Sequence, residues 1–153
     1  TGVISGVNIP TGYALQHDVS AKEIKLTKSD GGGYTAFIEQ FPGLSEADKL
    51  PGADPDQDGL SNLIEYAIAG LNPTAPDASP GTLANGALSF TKRDIAVANG
   101  DVSYVIEEST TLGEEPDPWT PVSAYLINDA TAISAEIPVG SAKHFARLVV
   151  TEI

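Results

Sequence analysis

The sequence predicts a mainly β chain with a small helical segment set into it, closing in an antiparallel β-sandwich of Ig-like form and opening with short strands. Three observations carry this. From about residue 80, strand-length apolar runs recur at short spacing with turn residues between them. Before that, apolar residues recur at helical spacing, as at Tyr34, Phe37 and Phe41. At the start, Glu23-Ile24-Lys25-Leu26-Thr27 alternates polar and apolar, the signature of a half-buried strand.

Taken in order, Val3-Ile4, Val7 and Ile9 form one apolar stretch, broken at Pro10-Thr11-Gly12, and Tyr13-Ala14-Leu15 follows. Asp30-Gly31-Gly32-Gly33 is a breaker and the natural linker. The Tyr34–Phe41 helix is stopped by Pro42-Gly43, and Ser45-Glu46-Ala47-Asp48 has the form of an N-cap with an acidic partner over a short helical turn at 45–50. Leu60, Leu63, Ile64, Ala67 and Ile68 make a helical stripe with Gly70 as its cap, and Asn72-Pro73-Thr74-Ala75-Pro76 terminates it. In the β region, Ala87–Thr91 and Ile95-Ala96-Val97 read as strands. Asn99-Gly100 then reads as a type I′ hairpin turn, with Val102–Ile106 returning from it. Trp119–Leu126 reads as a third strand, Ile133, Ala135, Ile137 and Val139 as a fourth, and His144–Val150 as a fifth.

The most specific feature is the run Asp54-Pro55-Asp56-Gln57-Asp58-Gly59-Leu60-Ser61-Asn62-Leu63-Ile64-Glu65, which fills every position of D-x-D-x-D-G-x5-E. Carboxylates at alternate positions converge when the backbone curls around a point, and Gly59 permits the sharp turn. The candidate metal ligands are Asp54, Asp56, Asp58, the Leu60 carbonyl, Asn62 directly or through water, and Glu65 with two oxygens. Oxygen-only donors in a flexible loop favour Ca2+ over the tighter octahedron of magnesium. The chain thus divides into N-terminal strands over 1–30, an EF-hand-like calcium-binding segment over 31–80, and the sandwich over 81–153.

Composition narrows the function classes. Of 153 residues, 41% are hydrophobic, enough for a core, while acidic residues outnumber basic ones 21 to 8 for a net charge of −13. That charge repels phosphate backbones and anionic membrane surfaces, arguing against nucleic-acid partners. No apolar stretch is long enough to insert in a membrane. Cys is absent, so neither disulfides nor thiolate metal sites form. Thr1 reads as the processed or trimmed end of something longer. A lone calcium loop favours the extracellular space, where calcium is about millimolar.

The stretch ADPDQDGLSNLIEYAIAGLNP resembles the DPDGDGLSNLLEYALGLNP segment near the C-termini of many large secreted bacterial proteins, akin to thrombospondin type 3 and dockerin calcium loops. DVSYVIEEST…WTPVSA…HFARLVV resembles the β-module that follows such segments, and GYALQHDVSAKEIKLT the last strands of the passenger region before them. The resemblance implies the same ligand set. It also implies a non-catalytic, secreted or cell-surface structural module for display, attachment or self-assembly, with calcium, and itself or other surface modules, as partners. Two features depart from a paired EF-hand or dockerin: Ser61 stands where an apolar residue would pair two loops, and no second D-x-D-x-D-G occurs.

Catalytic motifs are absent: there is no G-x-S-x-G, H-E-x-x-H or P-loop, and His17 and His144 lie in different segments. Glu107 and Glu108 are strand neighbours pointing to opposite faces, and Glu114-Glu115 sits in a loop, so neither pair reads as a glycosidase dyad. The expectation is that the chain is not an enzyme. The rival reading is a carbohydrate-binding or accessory module of a polysaccharide-degrading enzyme, with Trp119, Tyr104, Tyr125 and Tyr13 as a stacking platform; against it, Trp119 serves as a sandwich-core anchor. Lys92, Arg93 and Arg147 are too few for an anion site.

Overall fold

The computed structural model describes residues 13–18, 23–28, 32–114, 118–138 and 143–153. Strands β1 (Tyr13–Asp18) and β2 (Glu23–Lys28) pair antiparallel from Tyr13↔Lys28 to Asp18↔Glu23, so the alternating stretch is a strand, with Ile24 exposed. The expected stretch Val3–Ile9 lies outside the described residues. Helix α1 (Gly33–Ile38) starts at the last glycine of the breaker. Gly33 has φ +78°, and a Cβ there would collide with the Asp101 carboxylate, so both backbone and space demand glycine. Helix α2 (Asn62–Ala67) follows the acidic loop.

Helices this short are marginal alone and hold through packing. Phe37 and Ile38 of α1 bury against Tyr66 and Ala67 of α2. Tyr66 is fully enclosed, with Tyr34 edge-on at 5.8 Å and Phe37 at 5.5 Å. Its hydroxyl donates to Asp101 at 2.8 Å. Burial, with the Asp101 carboxylate adding to it, pushes the Tyr66 phenol upward.

The β region holds two further antiparallel sheets. Strands β3 (Thr82–Ala84) and β4 (Ala87–Thr91) form a hairpin around Asn85-Gly86, whose φ values of 52° and 78° meet the requirement of a type I′ turn. Helix α3 (Asp94–Asn99) leads to strand β5 (Val102–Ser109). Strands β6 (Thr120–Pro121), β7 (Ile127–Asn128), β8 (Ala132–Glu136) and β9 (Phe145–Glu152) complete the set. One sheet runs β3-β4-β8-β7, the other β6-β5-β9.

Three expectations are corrected here. Ile95-Ala96-Val97 is helical, and Asn99-Gly100 ends that helix instead of turning a hairpin; Gly100 is the left-handed C-cap at φ 61° and the Asn99 side chain donates to Ile95 O at 2.8 Å. The stretch Trp119–Leu126 is not one strand. Pro121 has no N–H to continue a ladder, so the chain leaves β5 after the Val122 N–H reaches Ile106 O, and joins the other sheet when Leu126 N–H reaches Ser134 O. Helix α2 ends before Gly70, because Ile68 turns extended and bridges Lys92. Val139, the last residue of the expected fourth strand, lies outside the described residues.

The result is a mixed α/β fold of modest helical content with separate antiparallel sheets. Two apolar clusters hold it, and both join the helical segment to the β region. The first combines Phe37, Ile38, Tyr66 and Ala67 with Ala96 and Val102. The second combines Ile68 with Phe90, Ile133 and Ala135 of one sheet and Ile106 of the other. Tyr104 touches both, and its hydroxyl donates to Ala67 O at 3.1 Å.

Arg93 is the main polar tie. Its Nη2 donates to the carbonyls of Glu65 and Leu71, each at 2.8 Å, and its Nε to that of Tyr66 at 3.0 Å, so it caps the C-terminal carbonyls of α2. The guanidinium also lies 4.8 Å from the Phe37 ring centroid. Replacement Arg93→Ala leaves those buried carbonyls unpaired, and is expected to cost about 2–4 kcal/mol in urea unfolding. A loss below about 0.5 kcal/mol, the level of an ordinary surface site, contradicts this role.

Candidate metal centre

The acidic loop is folded by its own carboxylates. Asp54 accepts the N–H groups of Asp58 at 3.2 Å and Gly59 at 2.9 Å, Asp56 accepts Asp58 N–H at 3.3 Å, and Asp58 accepts Leu60 N–H at 2.8 Å. Gln57 and Gly59 take left-handed backbone, with φ 64° and 92°, which curls the chain around the carboxylates. The loop mouth closes where Asn62 N–H reaches Ala53 O and Leu63 N–H reaches Pro51 O.

Asp54, Asp56 and Asp58 each present an oxygen within 4.8 Å of the others. A second group, Asp58, Glu65 and Asp77, converges equally and shares Asp58 with the first. Glu65, in the first turn of α2, is 0% exposed, and neither of its carboxylate oxygens has a hydrogen-bond partner among the described residues. One Asp56 oxygen and the Asn62 Oδ1 are likewise buried without a partner among the described residues. Burial, reinforced by the charges of Asp56, Asp58, Asp77 and Asp54, pushes the Glu65 carboxyl from its ordinary 4.5 up to about 8. Asp56 is also raised, chiefly by burial.

An acid buried without donors among four other carboxylates is an expensive arrangement for a metal-free protein. A cation at the point of convergence reverses that cost, so the residues fit a metal ion. With oxygen donors alone, the chemistry suits a hard divalent cation.

Of the ligands read from the sequence, the structure brings together Asp54, Asp56 and Asp58 in one group and joins Glu65 to Asp58 in the other. Leu60 follows the glycine turn, with its N–H given to Asp58. Asn62 is 0% exposed, and its side-chain N–H groups go to the carbonyls of Asp48 at 2.7 Å and Leu50 at 2.9 Å. It thereby fastens the loop to the 45–50 turn, where the Ser45 hydroxyl accepts the Asp48 N–H as an N-cap does. The sequence did not reveal Asp77. Its N–H donates to Asp58 at 2.7 Å and its carboxylate accepts Asn72 N–H at 2.6 Å. An Asx turn, in which Asn72 Oδ1 accepts Thr74 N–H at 3.0 Å, folds the chain back after α2 and carries the acid to the site.

The other candidates go elsewhere. His144 pairs with Glu108 at 2.8 Å and Arg147 with Glu107 at 2.7 Å, so the two glutamates serve different partners. Lys92 binds Asn128 and the Asp129 carbonyl, leaving the three cations individually engaged. Trp119 lies outside both apolar clusters, half-buried, with the Arg147 guanidinium 4.4 Å from its ring centroid. That corrects its reading as a sandwich-core anchor. Tyr104 and Tyr125 pack on the cores, so they do not line up with Trp119 as a stacking platform. The Tyr13 and His17 side chains lie outside the described residues.

Comparison with protein-family models gives no match, and neither the curated proteins nor the solved structures contain a significant one.

Proposed function

We propose that the chain is a calcium-stabilised, non-catalytic extracellular module used for surface display, attachment or self-assembly, with its two β-region sheets packed as an Ig-like sandwich. The observation that carries this reading is Glu65, fully buried without a hydrogen-bond partner among converging carboxylates. The resemblance of the acidic loop to thrombospondin type 3 segments supports the identity of the ion and the extracellular setting. The ion's role is mechanical: it joins the loop to α2, whose residues pack into both apolar clusters. Among the described residues strand β9 is at the edge of its sheet, a ladder to which the N-terminal strands of another copy could add to build a filament or tube.

The experiment is thermal unfolding in millimolar calcium and in chelator. Calcium at ten- to a thousandfold its dissociation constant adds about 1.4 to about 4 kcal/mol. For a domain of this size that is a rise of roughly 3–15 °C. Asp54→Ala, which also loses the bonds from Asp58 and Gly59 N–H, is expected to melt somewhat below the native chain in chelator and to gain nothing from calcium. Equal melting of the native chain in both solutions contradicts the proposal. Size-exclusion chromatography in calcium tests the assembly component, and a monodisperse monomer removes it.

A further inference from the structure

We propose that Asp77, outside the contiguous acidic loop, is a ligand to the same ion, so that the metal fastens segment 71–81 onto the loop. This rests on the reading of the site as a cation centre. Asp77 presents a carboxylate oxygen within 4.8 Å of those of Asp58 and Glu65, and Glu65 is 0% exposed with both oxygens unpartnered. The approach is built: Asn72 N–H holds the Asp77 carboxylate at 2.6 Å, and Asp77 N–H holds Asp58 at 2.7 Å. An ion touching Asp58, Glu65 and Asp77 therefore bridges the loop, helix α2 and the strap that leads to β3. Calcium accepts six to eight oxygens, and a strap carboxylate adds charge and a donor to those the loop supplies.

The strap matters beyond the ion. Ser79, Pro80 and Gly81, just after Asp77, line a cavity of about 330 Å³ together with Leu60 and Ile64. Leu60 belongs to the loop and Ile64 to α2, and the Asp77 N–H bond to Asp58 ties the strap to the loop.

The test uses the full chain and Asp77→Asn, which keeps an acceptor for Asn72 N–H and the backbone bond to Asp58. Calcium titration calorimetry is expected to show affinity weakened about tenfold or more relative to the native chain. Europium luminescence lifetimes in H2O and D2O should count about one more metal-bound water in the variant, consistent with the coordination number of the ion. Amide exchange over 71–81 should slow with calcium in the native chain and respond weakly in the variant. Native binding with unchanged affinity and water count in Asp77→Asn overturns the inference while leaving the calcium site standing. Failure of the native chain to bind calcium overturns both. If Asp77→Asn does not fold, calcium-independent exchange over 71–81 in the native chain is the overturning result.

Discussion

Glu65→Gln is expected to weaken calcium binding by roughly a hundredfold or more, since the closing bidentate carboxylate is lost. In chelator at pH 9 the same variant is expected to be more stable than the native chain. The native carboxyl is fully buried, unpartnered and raised to about 8, so above that pH it ionises among Asp54, Asp56, Asp58 and Asp77. Each unit between its folded and unfolded values corresponds to ~1.4 kcal/mol. A neutral amide avoids that repulsion and shares the unmet hydrogen bonds of the neutral acid, so a gain of about 2–5 kcal/mol is expected in urea unfolding. At pH 5 the native acid is itself neutral and the difference shrinks toward zero. A residue that only filled space would show neither the pH-dependent gain nor the loss of calcium. A variant less stable than the native chain at pH 9 in chelator contradicts the electrostatic account.

The second large effect is the pH dependence of the metal-free protein. Glu65 is raised in the folded state from 4.5 to about 8, so folding binds a proton throughout that window. Its stabilising contribution is therefore full below about 4.5 and is lost as pH rises through about 8. In chelator, the stability attributable to Glu65 should fall by a few kcal/mol across that window, and Glu65→Gln should remove this slope. Calcium needs the ionised carboxylate, so its uptake at pH 7 should release nearly one proton. Calorimetry in two buffers of different ionisation heat reads that number directly. Between pH 7 and pH 6 the apparent affinity should weaken about tenfold. Calcium uptake without proton release at pH 7 contradicts the assignment of Glu65 as a buried acid that must ionise to bind.

How much of this was legible in the sequence depends on range. The loop was, because its carboxylates are set by spacing within one short run, and spacing is what a sequence displays. The strands Glu23–Lys28, Ala87–Thr91 and Ala132–Glu136 likewise show as local apolar patterns, whereas which strand pairs with which is set by long-range contacts that a sequence does not display. The tripeptide Ala-Asn-Gly was misleading because it occurs twice. Asn85-Gly86 turns a hairpin, whereas Gly100 caps a helix; both uses need left-handed backbone at glycine, so local chemistry does not separate them. What decides is the burial of Ala96 against Tyr66 and Val102, a tertiary fact. Gly70 was misread as a cap for a similar reason, since the pairing of Ile68 with Lys92 ends α2 earlier. Asp77 lay beyond reach, because its place in the site depends on how the Asn72 turn folds back. Arg93, which fixes the end of the helix bearing Glu65, carried no motif at all.

The most direct measurement is the calcium stoichiometry of the intact chain at pH 8, by titration calorimetry against a chelator-treated sample. The predicted result is one saturable calcium ion per chain, bound in preference to magnesium and abolished in Asp54→Ala. A titration with no heat beyond dilution, and no tightly held ion on equilibrium dialysis, contradicts it.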